Sequence, residues 1–150
     1  MRAIIILLSI LLNLGNVACK KKKKSTQAKE DEKIITDYIS ANNLNASATG
    51  SGLYYVITTQ GTGAQPNSNS TVTVKYKGTL KDGTVFDQSG GATFSLSSVI
   101  KGWQEGIPYF KKGGKGVLLV PSALGYGAQA TGNIPANSVL IFDVDLQDVK

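Results

Sequence analysis

Alternation of apolar and polar positions dominates the chain from Leu53 onward. From Thr71 to Leu80, Val72, Val74 and Tyr76 fall on one face and Thr71, Thr73, Lys75 and Lys77 on the other, the period-two signature of a half-buried strand. Val139 to Val149 repeats it, with Leu140, Phe142, Val144 and Leu146 set against Asp143, Asp145 and Gln147. Leu53 to Thr59 is β-branched and aromatic, Val85-Phe86 and Phe94-Ser95-Leu96 are short strand candidates, and Gly116 to Val120 is an apolar run closed by Pro121. Asp82-Gly83 supplies a hairpin turn. In this part only Val99 to Phe110 reads as helical, with Ser97 or Ser98 to cap its start. Several antiparallel strands with one short helix across a face predict an α+β half-barrel.

The N-terminal part is organised differently. Residues 1–18 run from Met1-Arg2 through an apolar stretch, Ala3 to Leu12, to the small pair Val17-Ala18, which is the anatomy of a signal peptide. The stretch is short for a bilayer span, which needs about 20 apolar residues. Cys19 follows directly, in the position of a lipidated cysteine, although Asn16 stands where a bulky apolar residue is usual. Ordinary cleavage that leaves a free thiol is the alternative. Lys20 to Lys24 then form a basic tether suited to anionic head groups. Within Lys29 to Ile39, the positions Ile34, Ile35, Tyr38 and Ile39 suit one helical face. Glu30-Asp31-Glu32 is placed in the first turn of that helix, where the dipole favours negative charge. Asn42 to Gly52, rich in Asn, Ala, Ser and Gly, reads as a linker. The expected division is therefore a signal peptide at 1–18, a lipidated basic tether with a short helix and linker at 19–51, and a folded domain at 52–150.

Composition narrows the chemistry. The net charge of +6 is carried by Arg2 and Lys20–Lys24, because ten lysines from Ser25 onward face ten acidic residues. A nucleic-acid module carries its charge on the domain face, so no nucleic-acid partner is expected. The chain has 0 histidines, which removes Ser–His and Cys–His catalysis and most zinc sites. Cys19 is the single cysteine, so no intrachain disulfide can form. No metal and no cofactor are expected. What remains is a polar minority of Asp, Tyr, Lys and backbone groups, or a shaped apolar pocket.

Several blocks then occur in a telling order. Val74-Lys75-Tyr76-Lys77-Gly78, Asp82-Gly83-Thr84-Val85-Phe86-Asp87 and Val99-Ile100-Lys101-Gly102-Trp103-Gln104-Glu105-Gly106 are followed by Val120-Pro121, Gly125-Tyr126-Gly127, Ile134-Pro135 and Leu140-Ile141-Phe142-Asp143-Val144. Between about Gly52 and Lys150 the chain resembles the FKBP-type peptidyl-prolyl cis-trans isomerases. The resemblance implies a shallow apolar basin floored by Trp103, with Tyr76, Phe86, Val99, Ile100, Tyr126, Ile134 and Phe142 as walls and Asp87 at the rim. It implies catalytic roles for Tyr76, Asp87, Trp103, Tyr126 and Phe142 and substrate contact for Phe86, Val99, Ile100 and Ile134. The Tyr126 hydroxyl and the Ile100 N–H would meet substrate carbonyls. The expected activity is X-Pro isomerisation in proteins folding outside the cytoplasm, at the cell envelope. Proline-containing polypeptides are the expected clients, a macrolide is a candidate ligand, and the membrane is reached through the lipid on Cys19.

Such a basin needs no nucleophile. Rotation of a peptide bond is opposed by a barrier of about 18–20 kcal/mol, because amide resonance is broken on the way. The twisted transition state is less polar than the planar ground state, so an apolar basin favours it differentially. The sequence departs from the family pattern at Ala92, where an aromatic residue is usual two before the strand phenylalanine, at the plain loop Gly90-Gly91, at the short Ser97-Ser98 spacer and in the loop Gly127 to Gly132. These departures predict a thinner pocket wall near Ala92. They also keep two other readings open: a tethered chaperone-like module that binds X-Pro segments with little turnover, and a structural spacer.

Overall fold

The computed structural model describes the backbone of residues 14–150 and the side chains of residues 26–150. The signal-peptide reading of 1–18, the lipidation of Cys19 and the role of Lys20–Lys24 rest on side chains outside the described residues. The described chain begins with helix α1 (Leu14–Ala41), followed by strands β1 (Ser47–Ala48), β2 (Tyr54–Thr59), β3 (Thr71–Thr79) and β4 (Val85–Ser95). Helix α2 (Lys101–Gly106), β5 (Lys115–Val120) and β6 (Leu140–Val149) complete it. All strands pair antiparallel in one six-stranded sheet of order β1-β2-β5-β6-β3-β4. The expected α+β architecture is present.

The alternation read in the sequence separates the two faces of this sheet. Val72 and Val74 of β3, Leu118 and Val120 of β5, and Leu140, Phe142, Val144 and Leu146 of β6 join Trp103, Ile107 and Phe110 in the main core. The residues between them point the other way. Leu119 of β5 and Ile141 of β6 form a second cluster with Val139 and with Ile35 of α1. A sheet covered on both faces reads as a continuous apolar run, which explains why Gly116 to Val120 shows no alternation. The short helix α2 therefore sits inside the curl of the sheet and α1 covers the opposite face.

Several local expectations are corrected. The two short strand candidates at Val85-Phe86 and Phe94-Ser95-Leu96 are the ends of one strand, β4. Gly90-Gly91 is not a loop but a bulge within it: Ser89 pairs with Tyr76 and Ala92 with Val74, so two glycines face Lys75 alone. The predicted helix Val99 to Phe110 is an α-helix only over Lys101–Gly106, continued by a 3-10 turn, Ile107–Tyr109, where Pro108 tightens the path. Neither Ser97 nor Ser98 caps it. Ile100 holds the N-cap position, and the Ser98 hydroxyl donates to the Ser95 carbonyl instead. The acidic triplet Glu30–Glu32 is not in a first turn, because α1 already begins at Leu14: the intervening alanines and lysines are good helix formers and carry the helix upstream. Asn42 to Gly52 is not a free linker, since β1 lies within it and pairs with β2.

α1 is fixed by a stripe at four-residue spacing. Ile35 is fully buried against the sheet, Asp31 lies one turn earlier, and Glu32 accepts a hydrogen bond from the Tyr54 hydroxyl of β2. That hydrogen bond and then burial push the Tyr54 phenol above its usual range. Asn43, at φ 51°, ends the helix in the left-handed conformation, and the Leu44 N–H closes back on the Ile39 carbonyl at 3.0 Å. Deleting the buried Ile35 side chain is expected to cost about 2–5 kcal/mol, measurable as a lower urea midpoint for Ile35→Ala. An unchanged midpoint would mean that α1 is not docked on the sheet.

Candidate active site

The site is assembled by the approach of α2 to β5. A Cβ on Gly102 would lie 2.4 Å from Cγ1 of Val120, so only glycine lets the helix come this close. At its far end Glu105 accepts hydrogen bonds from Thr49 (2.6 Å) and Ser51 (2.7 Å), tying α2 to the segment after β1. The adjacent Trp103, 4% exposed, is thereby set against the sheet. Three aromatic rings meet it nearly edge-to-face: Tyr76 of β3 at 5.1 Å, Phe142 of β6 at 5.4 Å and Phe94 of β4 at 5.6 Å. Such pairs contribute about 0.5–1.5 kcal/mol each beyond their burial, so the floor is stiff. Phe86 packs perpendicular to Phe142 at 5.5 Å, over Gly78, where a Cβ would sit 2.6 Å from the Phe86 ring.

These residues enclose a hollow of about 260 Å³ lined by Tyr76, Phe86, Asp87, Phe94, Ser98, Val99, Ile100, Trp103, Tyr126 and Phe142. Of the nine site positions expected in the folded domain, eight gather here. Ile134 does not. It is buried in the core cluster, where its N–H and carbonyl pair with those of Thr131. Phe94 and Ser98 line the hollow although neither was expected. Phe94 was legible as the second apolar position after Ala92 on the same strand face. Ala92 is not among the residues that line the hollow.

The polar groups are few and placed at the rim. The Tyr76 hydroxyl donates to Asp87 Oδ2 at 2.7 Å. Asp87 is exposed rather than buried, so it is a solvated rim carboxylate that orients the tyrosine. Gln104 Nε2 donates to the Val99 carbonyl at 2.7 Å and holds the wall that leads into α2. The Ile100 carbonyl accepts the N–H groups of Trp103 and Gln104, whereas its own N–H meets no acceptor among the described residues. Trp103 Nε1 is also buried without an acceptor there. A larger hollow of about 640 Å³ adjoins Lys75, Lys77, Lys115, Asp143 and Asp145. Lys115 pairs with Asp145 there at 3.3 Å, Lys75 and Lys77 stand opposite Asp145 and Asp143, and Tyr76 is its one aromatic lining residue, so the smaller, aromatic basin is the better candidate.

The sequence model of the FKBP-type peptidyl-prolyl cis-trans isomerase family matches residues 62–147. The chain belongs to the FKBP-type peptidyl-prolyl cis-trans isomerase family. Among FKBP-type relatives, it is 43% identical to FkpA of Buchnera aphidicola subsp. Schizaphis graminum, over 92% of this chain and 57% of that protein. It is 44% identical to FkpA of Aeromonas hydrophila, over 87% of this chain and 51% of that protein. The chain thus spans little more than half the length of these curated FKBP-type relatives. The crystal structure of Escherichia coli FkpA superimposes with a TM-score of 0.73 at 39% identity, covering 87% of this chain and 64% of that one. A peptidyl-prolyl cis-trans isomerase of Pseudomonas syringae pv. tomato gives 0.75 at 31% identity, covering 84% and 95%. The FKBP-like fold is therefore shared along most of the described chain.

Burial first, and the Asp87 hydrogen bond second, push the Tyr76 phenol from 10.0 up to about 12. A folded value above the ordinary one adds stability that is whole below pH 10.0 and is lost as pH rises toward about 12. Ultraviolet titration of the tyrosines is expected to show a step near pH 12 that Tyr76→Phe abolishes. Asp87→Asn should move that step downward yet leave it above 10.0, since burial is the larger cause. A Tyr76 that ionises at its ordinary value in the unaltered chain would contradict this packing.

Proposed function

We propose that the chain is an active prolyl isomerase, acting on X-Pro bonds of polypeptides that fold outside the cytoplasm. The observation that carries this reading is the aromatic basin on Trp103, whose only charged lining residue is Asp87 at its rim. A proline ring seated on an indole and walled by Phe86, Phe142 and Val99 is removed from water. There the less polar, twisted amide is favoured over the planar one. The Ile100 N–H is free to hold a carbonyl of the bound segment, and the Tyr126 hydroxyl, on a residue 40% exposed, is free to hold another. Tyr76, Asp87, Trp103, Tyr126 and Phe142 are the catalytic set; Phe86, Val99 and Ile100 add substrate contact. Family membership and the relatives named FkpA support the same activity.

The N-terminal reading belongs to this proposal. Residues 1–18 serve as the export signal, Cys19 carries the lipid, and 19–51 tether the isomerase unit of 52–150 at the cell envelope. Mass spectrometry of the mature N-terminus is expected to find lipid on Cys19; an intact Met1 or an unmodified Cys19 would remove the anchor. A macrolide of the kind FKBP-type proteins bind is a further expected ligand, and it should quench Trp103, the one tryptophan.

The activity is tested by proline-limited refolding of a model protein with catalytic amounts of the full chain. The chain should accelerate the slow phase, which otherwise takes tens to hundreds of seconds. Tyr126→Phe removes one hydrogen bond, worth about 0.5–1.5 kcal/mol, and should lower kcat/KM about 2- to 10-fold. Trp103→Leu removes the floor and should lower it further. No acceleration by the unaltered chain would refute the proposal and leave the binding-module reading.

A further inference from the structure

Asp31 has no part in the chemistry above, yet it is the most deeply buried charged residue among those described, at 1% exposure. Its Oδ2 accepts both the N–H (2.8 Å) and the hydroxyl (2.6 Å) of Ser122, and its Oδ1 accepts Nε2 of Gln27 at 2.9 Å. No cation lies within ion-pair distance of it among the described residues. A helix that only needed to cover the sheet would place an apolar residue here, as it does with Ile35 one turn later. A buried carboxylate demands partners in fixed positions, and Ser122 supplies two of them.

Ser122 is itself 2% exposed and governs the loop beyond it. Its carbonyl accepts the N–H of Gly125 at 3.0 Å and that of Gly127 at 2.8 Å, the two neighbours of Tyr126. The Gly127 carbonyl in turn accepts the Asn137 N–H at 2.8 Å. The Tyr126 hydroxyl has no partner among the described residues and the ring is 40% exposed, so the backbone on either side is what aims it. A continuous hydrogen-bonded path therefore runs from α1 through Ser122 to the glycines that bracket Tyr126.

We propose that Asp31 is a positioning residue for Tyr126: α1, by holding Ser122, fixes the loop that forms one wall of the basin. The catalytic part of this inference rests on the isomerase reading above; the structural part does not. In the full chain, Asp31→Asn should lower kcat/KM measurably but by no more than Tyr126→Phe does, within about 2- to 10-fold, because it acts by displacing the same group. In a Tyr126→Phe background the same substitution should change kcat/KM by less than about twofold, because residues on one path are not additive. Ser122→Ala, which removes the hydroxyl and keeps the N–H, should repeat the pattern more weakly and stands in should Asp31→Asn fail to fold.

Amide hydrogen exchange gives a readout without turnover. The Gly125 and Gly127 amides should exchange faster in Asp31→Asn while the Val74 amide of β3 does not. Unaltered kcat/KM in Asp31→Asn, or an equal loss in both backgrounds, overturns the proposal. If the unaltered chain shows no isomerisation, the functional reading fails and exchange alone decides: unchanged Gly125 and Gly127 rates overturn the positioning role, and selective acceleration sustains it.

Discussion

The close approach of α2 to β5 is the constraint on which the rest of the site depends. Gly102 has room for no Cβ against Val120, and that contact fixes the depth at which Trp103 enters the sheet. Once the indole is placed, the edges of Tyr76, Phe94 and Phe142 close around it from three strands. The hollow above it is then what the remaining side chains leave open. An interior packed like an organic crystal transmits such displacements, so a helix pushed outward by one methyl group would disturb several walls together.

A second layer of control comes from the opposite face. Leu118–Val120 of β5 and Leu140–Phe142 of β6 are buried on both faces, by the main core within and by α1 and its cluster without. The turn that leaves β5 at Pro121 is thus shared: its inner side leads to Tyr126 and its outer side meets α1 at Ser122. The helix that the sequence offers as a mere prelude to the domain is part of how one wall is held.

Much of this was legible in the residues, for physical reasons that differ from place to place. β3 and β6 announce themselves because each has one face in the core and one bearing charge. The hairpin at Asp82-Gly83 follows from turn chemistry: Asp82 Oδ1 accepts the Thr84 N–H at 2.9 Å. The basin was legible only through an ordered series of short blocks, since no single aromatic residue distinguishes a pocket from a core. β4 was broken in two because glycines carry no face signal, and a bulge needs two of them opposite one residue. Asp31 was misplaced in a first turn because a charged residue on a charged helix reads as solvated; its burial depends on Ser122, 91 residues away. Ile134 enters through its block, Ile134-Pro135; it is buried in the same core cluster as Trp103 and Phe142 and is not among the residues that line the hollow.

The central claim is that this apolar basin lowers the barrier to amide rotation, and exchange spectroscopy tests it most directly. In two-dimensional NMR of a short X-Pro peptide held in large excess over the full chain, cis and trans signals should gain exchange cross-peaks. Without a catalyst that exchange takes tens to hundreds of seconds and leaves no such peaks. Peptide that quenches Trp103 fluorescence yet shows no cross-peaks would contradict the account, because the basin would then bind proline without turning it.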